Sequence, residues 1–411
     1  MGKFNINRKI LKPLNFIIPK SRKRVYALPL TNGMKDCYDL INYSADNVLC
    51  VVNRLMRNYY DCNLTIYLEC FSQERIDEIK SYIKNFKKGK LTIKPILSHR
   101  IKESSKISIC RLIKNLIIRY SCKYWISDSL HVHFFEKCKS QKHINLNYST
   151  PFKKAQRNKS DDFNVVDYYI DTSIFTAEVH SAIFGIDLNK FLDAPFGFPR
   201  NDNMLVIDEN KKKQINEWIF SKTNKTFKKI FVYAPTYRDY KGALDGKTIF
   251  GYSDCSDVEK FLVDNDCLVI AKLHPLQDMK TILPMKNVIL YEQNYNFTLY
   301  DLLAESDCLI SDYSSVMHDY ILTDKPIIIN LFDPEKYADS RGFVFSAMDM
   351  VFPSKPCRSP QELITGMEQA AANVIDKSRY DLVKNVFQEN QNANYTDDIC
   401  KFLLRVFKVK I

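Results

Sequence analysis

Three short polar clusters each follow an apolar run: Pro235-Thr236-Tyr237-Arg238-Asp239, Lys272-Leu273-His274-Pro275 and Ser311-Asp312-Tyr313-Ser314-Ser315. The third is the most telling by residue type. It stands where an apolar run over Cys308–Ile310 gives way to a helix-length segment, and a second apolar run, Pro326–Leu331, follows. Small hydroxyl residues at a helix amino terminus bring hydroxyls, backbone N–H groups and the positive end of the helix dipole to one spot, which suits a phosphate. The bland alternative is that Ser314 or Ser315 only caps the helix.

Positioning such clusters takes strands. Val25–Leu30, Val48–Val52, Leu64–Cys70, Leu91–Leu97, Tyr124–Ser127, Ile144–Tyr148 and Tyr168–Asp171 read as strands alternating with helical patterns, as in a parallel sheet flanked by helices. The alternation resumes at Ile230–Tyr233, Leu268–Ala271, Val288–Tyr291, Cys308–Ile310 and Ile327–Asn330. Between the two series lie a sharp turn signal, Gly197 to Asp202, and the lysine-rich stretch Glu209 to Lys229, so the domain boundary is expected near there. In open α/β sheets, ligands sit at the carboxyl ends of strands. The three clusters are therefore expected to converge on one crevice.

The 411 residues suffice for two domains, and the net charge of +12 is unevenly placed. Met1 to Leu130 holds 25 Lys/Arg against 10 Asp/Glu, whereas the remainder is slightly acidic. Such asymmetry points to a polyanionic partner. Met1 to Arg24 carries eight basic residues and no acid, interleaved with Phe4, Ile6, Ile10, Leu11, Leu14, Phe16, Ile17 and Ile18. That suits a segment lying in the headgroup layer of an anionic membrane, or else a basic tail; Pro13 and Pro19 break any long helix. Lys106, Arg111, Lys114 and Arg119 fall on a basic amphipathic helix that faces a membrane, a lipid diphosphate or plain solvent. No apolar run reaches the length of a bilayer span and no secretory signal opens the chain, so a cytoplasmic protein at the inner face of the plasma membrane is expected. The twelve cysteines show no metal-ligand spacing, so reduced, buried thiols, no metal and no cofactor are expected. GxGxxG, P-loop, HExxH and GxSxG signatures are missing, as is any nucleic-acid-binding module. Nothing in the sequence sets an oligomeric state.

The ordered set of GFPRND (Gly197–Asp202), YAPTYRD (Tyr233–Asp239), KLHP (Lys272–Pro275), SDCLISDYSSVMHDY (Ser306–Tyr320), DKPIII (Asp324–Ile329) and RGF (Arg341–Phe343) resembles the CDP-glycerol glycerophosphotransferase family, the primases and polymerases of teichoic acids. The resemblance implies an α/β, GT-B architecture: two Rossmann-like domains facing across a cleft. On that frame the chain divides into a basic membrane-associating segment (1–24), an acceptor-side domain (25–205), a CDP-donor domain (206–390) and a closing helix (391–411) that packs back on the first domain. It also implies attack by an acceptor hydroxyl, on a lipid-linked or polymeric glycan, at the β-phosphate of a CDP-alcohol, with release of CMP. Such transfer depends on positioning and on neutralising charge.

Roles follow from chemistry and from the family pattern together. A protonated His274 would support the departing CMP. Arg238 either grips phosphate with its guanidinium fork or pairs with Asp239 at the surface. Thr236, Asp312, Ser314 and Ser315 belong to the donor site. Asp319 either holds ribose hydroxyls or favours the helix start, and Arg341 either reaches the diphosphate or packs against Asp339 or a carbonyl. On the acceptor side, the resemblance aligns Asn147-Tyr148-Ser149-Thr150-Pro151, followed by Lys153 and Lys154, with a family segment whose histidine is taken as the base. Tyr148 stands in that place. A phenol titrates near 10 unless nearby Lys153, Lys154 or Arg157 depress it. Three readings stay open: a perturbed Tyr148 is the base, a histidine such as His131, His133, His143 or His180 replaces it, or acceptor and reaction differ. Two further functions compete, a glycosyltransferase using a nucleotide sugar and an inactive membrane-bound scaffold.

Overall fold

A computed structural model describes residues 17–29, 46–70, 72–86, 88–98, 109–128, 137–147, 149–151, 154, 163–206, 208–238, 240, 242–273, 281–292, 297–392 and 394–409. The chain forms two compact units. Met1–Tyr148, Arg157–Asp202 and Asn394–Ile411 make the first, and Ser149–Gln156 with Asn203–Ala393 the second.

The first unit is built on a six-stranded sheet of β1 (Ser21–Leu28), β2 (Thr65–Cys70), β3 (Thr92–Leu97), β4 (Cys122–Ser127), β5 (Lys142–Asn145) and β6 (Tyr168–Tyr169), in the order β3-β2-β1-β4-β5-β6 with every pair parallel. This is the doubly wound order, in which the direction of strand addition reverses between β1 and β4. Its principal helices are α1 (Asn47–Asn58), α2 (Gln73–Ile83), α3 (Ile109–Ser121) and α4 (Ile174–Phe184).

The second unit has α5 (Glu209–Thr223), β7 (Lys229–Tyr233), α6 (Ser256–Asp264), β8 (Cys267–Ala271), β9 (Val288–Leu290), α7 (Leu299–Glu305), β10 (Cys308–Ser311), α8 (Val316–Tyr320), β11 (Ile327–Ile329), α9 (Pro334–Ser340), α10 (Pro360–Ala371) and α11 (Lys377–Phe387). Its sheet runs β11-β10-β7-β8-β9, again parallel, with the reversal between β7 and β10. β8 is buried along its whole length, as expected of a strand covered on both faces. The described cysteines are buried and free.

Two expectations fail in instructive ways. Val48–Val52 lies in the first half of α1 rather than in a strand. Asp46 caps that helix by accepting from the Leu49 N–H at 2.9 Å, and Val48, Leu49, Val51, Val52, Leu55 and Met56 repeat at helical spacing into the core. The cap and the period override the local β-branched run. Arg119 does not share the solvent face of α3: it is 1% exposed, with its guanidinium 5.3 Å from the Tyr26 ring and 4.7 Å from the Trp125 ring. Burial against aromatic faces suits a planar, weakly hydrated cation. Lys114 stays exposed on that helix beside Ile113 and Ile117, both half-exposed, while Lys106 lies outside the described residues.

The last helix, α12 (Tyr395–Val406), belongs to the first unit and places Ile399, Cys400, Phe402, Leu403 and Leu404 in the same core as α1. Asp202 holds its start, accepting from the N–H groups of Asn394, Tyr395 and Thr396 at 3.0, 2.9 and 2.8 Å. Tyr395 explains the glycine at 197: the φ of Gly197 is +120°, and a Cβ there would stand 2.1 Å from the Tyr395 ring.

Candidate functional site

In the second unit the loops after β7 and β10 leave adjacent strands at the reversal point, so their side chains meet. The Thr236 N–H donates to Asp312 Oδ1 at 2.8 Å. Arg238 Nη1 donates to Asp312 Oδ2 at 2.5 Å and to the Thr236 carbonyl at 2.6 Å. Its other edge grips Asp333 in bidentate fashion, Nε to Oδ2 and Nη2 to Oδ1, both at 2.8 Å. Asp333 also accepts from the Tyr240 hydroxyl. The guanidinium lies against the rings of Phe332, Tyr337 and Tyr313 at 4.7, 5.0 and 5.4 Å. Burial opposes its charge, but the carboxylates of Asp312 and Asp333 outweigh that and raise its pKa.

The structure thereby revises the reading of Arg238. It is 4% exposed, and its fork is occupied by Asp333, so it is neither an open phosphate grip nor a surface group. It acts as a clamp binding three loops together. Asp312 is fully buried with both oxygens engaged, which makes it a brace for Thr236 rather than a group facing solvent. Asp319 is 1% exposed and lies in the first turn of α8, as the helix-start reading has it, and it ties α8 to α7 by accepting from the Tyr300 hydroxyl at 2.5 Å. A carboxylate at the strand end, Asp333, went unremarked in the sequence. The Phe332-Asp333-Pro334 signal was available, since it follows the apolar run of β11 by three residues and Pro334 opens α9.

Ser314 and Ser315 are half-buried just before α8. Ser315 makes no capping bond with its side chain, so the cap reading fails for it. The helix itself is five residues long, shorter than expected, and a 3-10 turn over Ile321–Thr323 follows. Its short length limits the dipole, leaving hydroxyls and backbone N–H groups as the means of holding an anion here. The Tyr313 ring stacks on Tyr337 at 4.3 Å and lies 5.0 Å from Phe343, which fixes the loop that carries Ser314. Arg341, half-buried, closes α9 with its N–H on the Tyr337 carbonyl, next to Gly342. A small hollow of about 20 Å³ separates Thr236 from Leu273, the last described residue after β8.

The segment assigned to the acceptor side is divided: Asn147 belongs to the first unit, and Ser149 to Gln156 go with the second. Thr150 is buried and its Oγ1 lies 2.8 Å from His318 Nδ1, while the Lys154 N–H donates to the Gly342 carbonyl at 3.2 Å. His318 is enclosed, stacked on Phe387 at 3.8 Å, and burial pushes its pKa down to about 3. A neutral ring carries one N–H; with Nε2 facing the Val351 carbonyl at 3.4 Å, Nδ1 is left to accept from Thr150. His318 was not singled out in the sequence because a lone histidine inside a helix gives no spacing signal. His274, Tyr148, Lys153, His131, His133 and Asp239 lie outside the described residues.

Two histidines proposed as substitute bases are described, both in the first unit. His143 is buried with Nε2 2.8 Å from Ser127 Oγ. His180 is buried with Nδ1 2.6 Å from Asp171 Oδ2 and stacks near Phe184 and Phe191. Both rings are thus committed within the fold. At the reversal point of this sheet, Asp128 accepts from the Val48 N–H at 3.0 Å and is hydrogen-bonded to Asp46. Burial, then the Asp46 charge, hold the Asp128 carboxyl well above the usual carboxylate range. Asn47 donates to the carbonyls of Leu146 and Asn147 at 3.3 and 2.8 Å and accepts from the Arg200 N–H at 3.0 Å, fixing the chain just ahead of residue 148. Among the described residues no cluster of His, Cys, Asp and Glu could hold a metal ion, and no helix is long and apolar enough to cross a membrane.

Comparison with known proteins places this architecture. A structure of the wall teichoic acid polymerase TagF superposes with a TM-score of 0.68 at 19% identity, covering 98% of this chain and 94% of that one, a likeness of fold. The teichoic acid glycerol-phosphate primase of Bacillus subtilis (strain 168) is 29% identical over 317 residues, 71% of this chain and 76% of the primase. The teichoic acid poly(glycerol phosphate) polymerase of Staphylococcus epidermidis is 28% identical over 289 residues, which span 65% of this chain but 38% of the polymerase. The model of the CDP-Glycerol:Poly(glycerophosphate) glycerophosphotransferase family matches residues 54–405. With two parallel-sheet units of the GT-B type and a family match over most of its length, the chain belongs to the CDP-glycerol:poly(glycerophosphate) glycerophosphotransferase family.

Proposed function

We propose that the chain transfers a polyol phosphate, glycerol phosphate or ribitol phosphate, from a CDP-alcohol to a hydroxyl of a lipid-linked or polymeric glycan. The observation that carries this reading is the clamp at the β7/β10 reversal point. Arg238, Asp312 and Asp333 fix the backbone of two loops, leaving the half-buried hydroxyls of Ser314 and Ser315 at the carboxyl end of β10. Family membership supplies the donor class.

In the reaction, the acceptor oxygen forms a bond to the donor's β-phosphorus as the bond from that phosphorus to the CMP oxygen breaks. The hydroxyl proton passes to a base and CMP leaves as the anion. Preorganised donors are worth most where charge develops, on the transferred phosphate and on CMP. Ser314 and Ser315 serve the first, and His274, following β8, serves the second. Tyr148 takes the proton, as His143 and His180 are held inside the first unit. The basic segment at residues 1–24 and the exposed Ile113, Lys114 and Ile117 of α3 bring the chain to an anionic membrane where such an acceptor resides.

The test is CMP release from CDP-glycerol, CDP-ribitol and a panel of nucleotide sugars. Turnover of a CDP-alcohol alone is expected, with His274→Ala lowering it on the order of 100-fold while the melting temperature holds. CMP or nucleotide release only from sugar donors, or His274→Ala within about threefold of wild type, would sink this assignment.

A further inference from the structure

The first unit carries another concentration of charge, at the edge of its sheet opposite the carboxyl ends of the strands. Because all pairs are parallel, the opening residues of β1, β4 and β5 emerge side by side, bringing Arg22, Lys123 and Lys142 to one edge. α12 ends against the same edge and adds Arg405 and Lys408. These five cations and a single carboxylate, Asp193, surround a hollow of about 560 Å³, within the range of small-molecule sites.

Two of the cations are already engaged: Lys142 pairs with Asp167 at 2.9 Å, and Lys123 donates to the Ser140 carbonyl. The side chains of Arg22, Arg405 and Lys408 are exposed and make no ion pair or hydrogen bond among the described residues. The floor is apolar. Tyr168 meets Phe402 edge-on at 5.3 Å, and Tyr124 packs on Phe407 at 4.4 Å.

A helix carboxyl end normally repels anions. Here its last carbonyls are occupied: the Tyr124 hydroxyl donates to Phe407 O, and the N–H groups of Lys408 and Val409 donate to Arg405 O and Leu404 O, each at 3.0 Å. Asp167 offsets Lys142, and Arg22, Arg405 and Lys408 are left facing Asp193 as the carboxylate in the lining.

We infer that this hollow is an accessory site for a phosphate ester, its anionic group held by Arg22, Arg405 and Lys408 and its organic body resting on the ring of Tyr168 and on Phe402. It lies at the strand ends not used for ligands in doubly wound sheets, so it is separate from the transfer chemistry and does not depend on that assignment. The same chemistry can be presented by a lipid headgroup or by a soluble ester. The full-length chain and Arg405→Gln/Lys408→Gln are compared for sedimentation with phosphatidylglycerol-containing vesicles, for sedimentation with phosphatidylcholine vesicles, and for calorimetric binding of soluble glycerol 3-phosphate.

The double variant is expected to weaken one phosphate arm by about 25-fold, about fivefold for each charge removed, with no binding to phosphatidylcholine by either chain. Loss in the vesicle arm assigns the ligand to a lipid, and loss in the soluble arm to a free ester. Melting curves verify folding; Lys408→Gln alone repeats the test with an expected loss of about fivefold. Wild-type binding to neither phosphate probe, or equal binding by wild type and variants, would overturn the site.

Discussion

The two sheets end the same way at their reversal points and then diverge in charge. Ile126-Ser127-Asp128 closes β4, and Ile310-Ser311-Asp312 closes β10, each beside the first strand of its own sheet. Both aspartates are fully buried, and both accept a backbone N–H from a neighbouring segment, Val48 for Asp128 and Thr236 for Asp312. Their remaining partners differ. Asp312 meets Arg238, which joins it to Asp333 in a network of opposite charges, whereas Asp128 meets a second acid, Asp46, and is driven towards its protonated form. Identical tripeptides in equivalent places thus become an ionic clamp in one unit and a proton-holding acid pair in the other. The strand end fixes where the carboxylate stands; the facing loop decides its charge.

The sharpest way to break this contrast is to remove the clamp's cation. Arg238→Ala leaves Asp312 and Asp333 buried and unpaired, and should cost about 3–5 kcal/mol in urea unfolding. Asp312→Asn in the same background should recover part of the loss. A cost below about 1 kcal/mol would mean that water or rearrangement replaces the arginine.

A pH series tests the acid pair. The folded-state pKa of Asp128 lies above its unfolded value near 3.9, so the stability gained from its bound proton is complete below that value and is lost as pH rises through the folded pKa. Wild type should lose up to about 1.4 kcal/mol per pH unit within that window, and Asp128→Asn, whose amide keeps a donor in place of the acid proton, should flatten the profile. Parallel profiles for the two proteins between pH 4 and 8 would refute the shared-proton reading.

The smallest effects separate the two serines. Ser127 Oγ lies 2.8 Å from His143 Nε2 and accepts from Asn145 Nδ2 at 3.1 Å, so Ser127→Ala strands two buried groups and should cost about 1–3 kcal/mol. Ser311 donates to the Ala234 carbonyl at 2.8 Å, and Ser311→Ala should cost about 1 kcal/mol. Equal losses in thermal unfolding would show that the network around Ser127 is no more binding than a single bond.

Legibility followed the range of the interactions. The strands of both units were readable because buried parallel strands leave apolar runs, as β8 and β10 do. α1 was misread because Val48–Val52 has the composition of a strand, and only Asp46 as a cap and the packing beyond it mark a helix. In the candidate site, two of the expected clusters do follow strands, β7 and β10, but it is the sheet order that sets these side by side, and the partners of Arg238 and Asp312 were not legible. Asp312 and Asp333, the partners of Arg238, lie 74 and 95 residues from it in the chain, and no local pattern announces such pairings. The segment around Thr150 was assigned by sequence order to the first domain, whereas its hydrogen bond to His318 spans 168 residues and puts it with the second unit.

The sequence by itself determined the alternation of strand and helix, the ordered motifs that mark the family, and the concentration of basic charge in the first third of the chain. Those properties depend on residue type and short spacing, which folding does not alter. Tertiary structure alone decided which carboxylates are paired with a cation and which share a proton, that Arg119 is buried while Lys114 is exposed, and that Arg405 and Lys408 near the end of the chain come to lie beside Arg22 near its start. Charge state and function of such groups depend on burial and on partners brought together by the fold, and both are set by distances that sequence order does not contain.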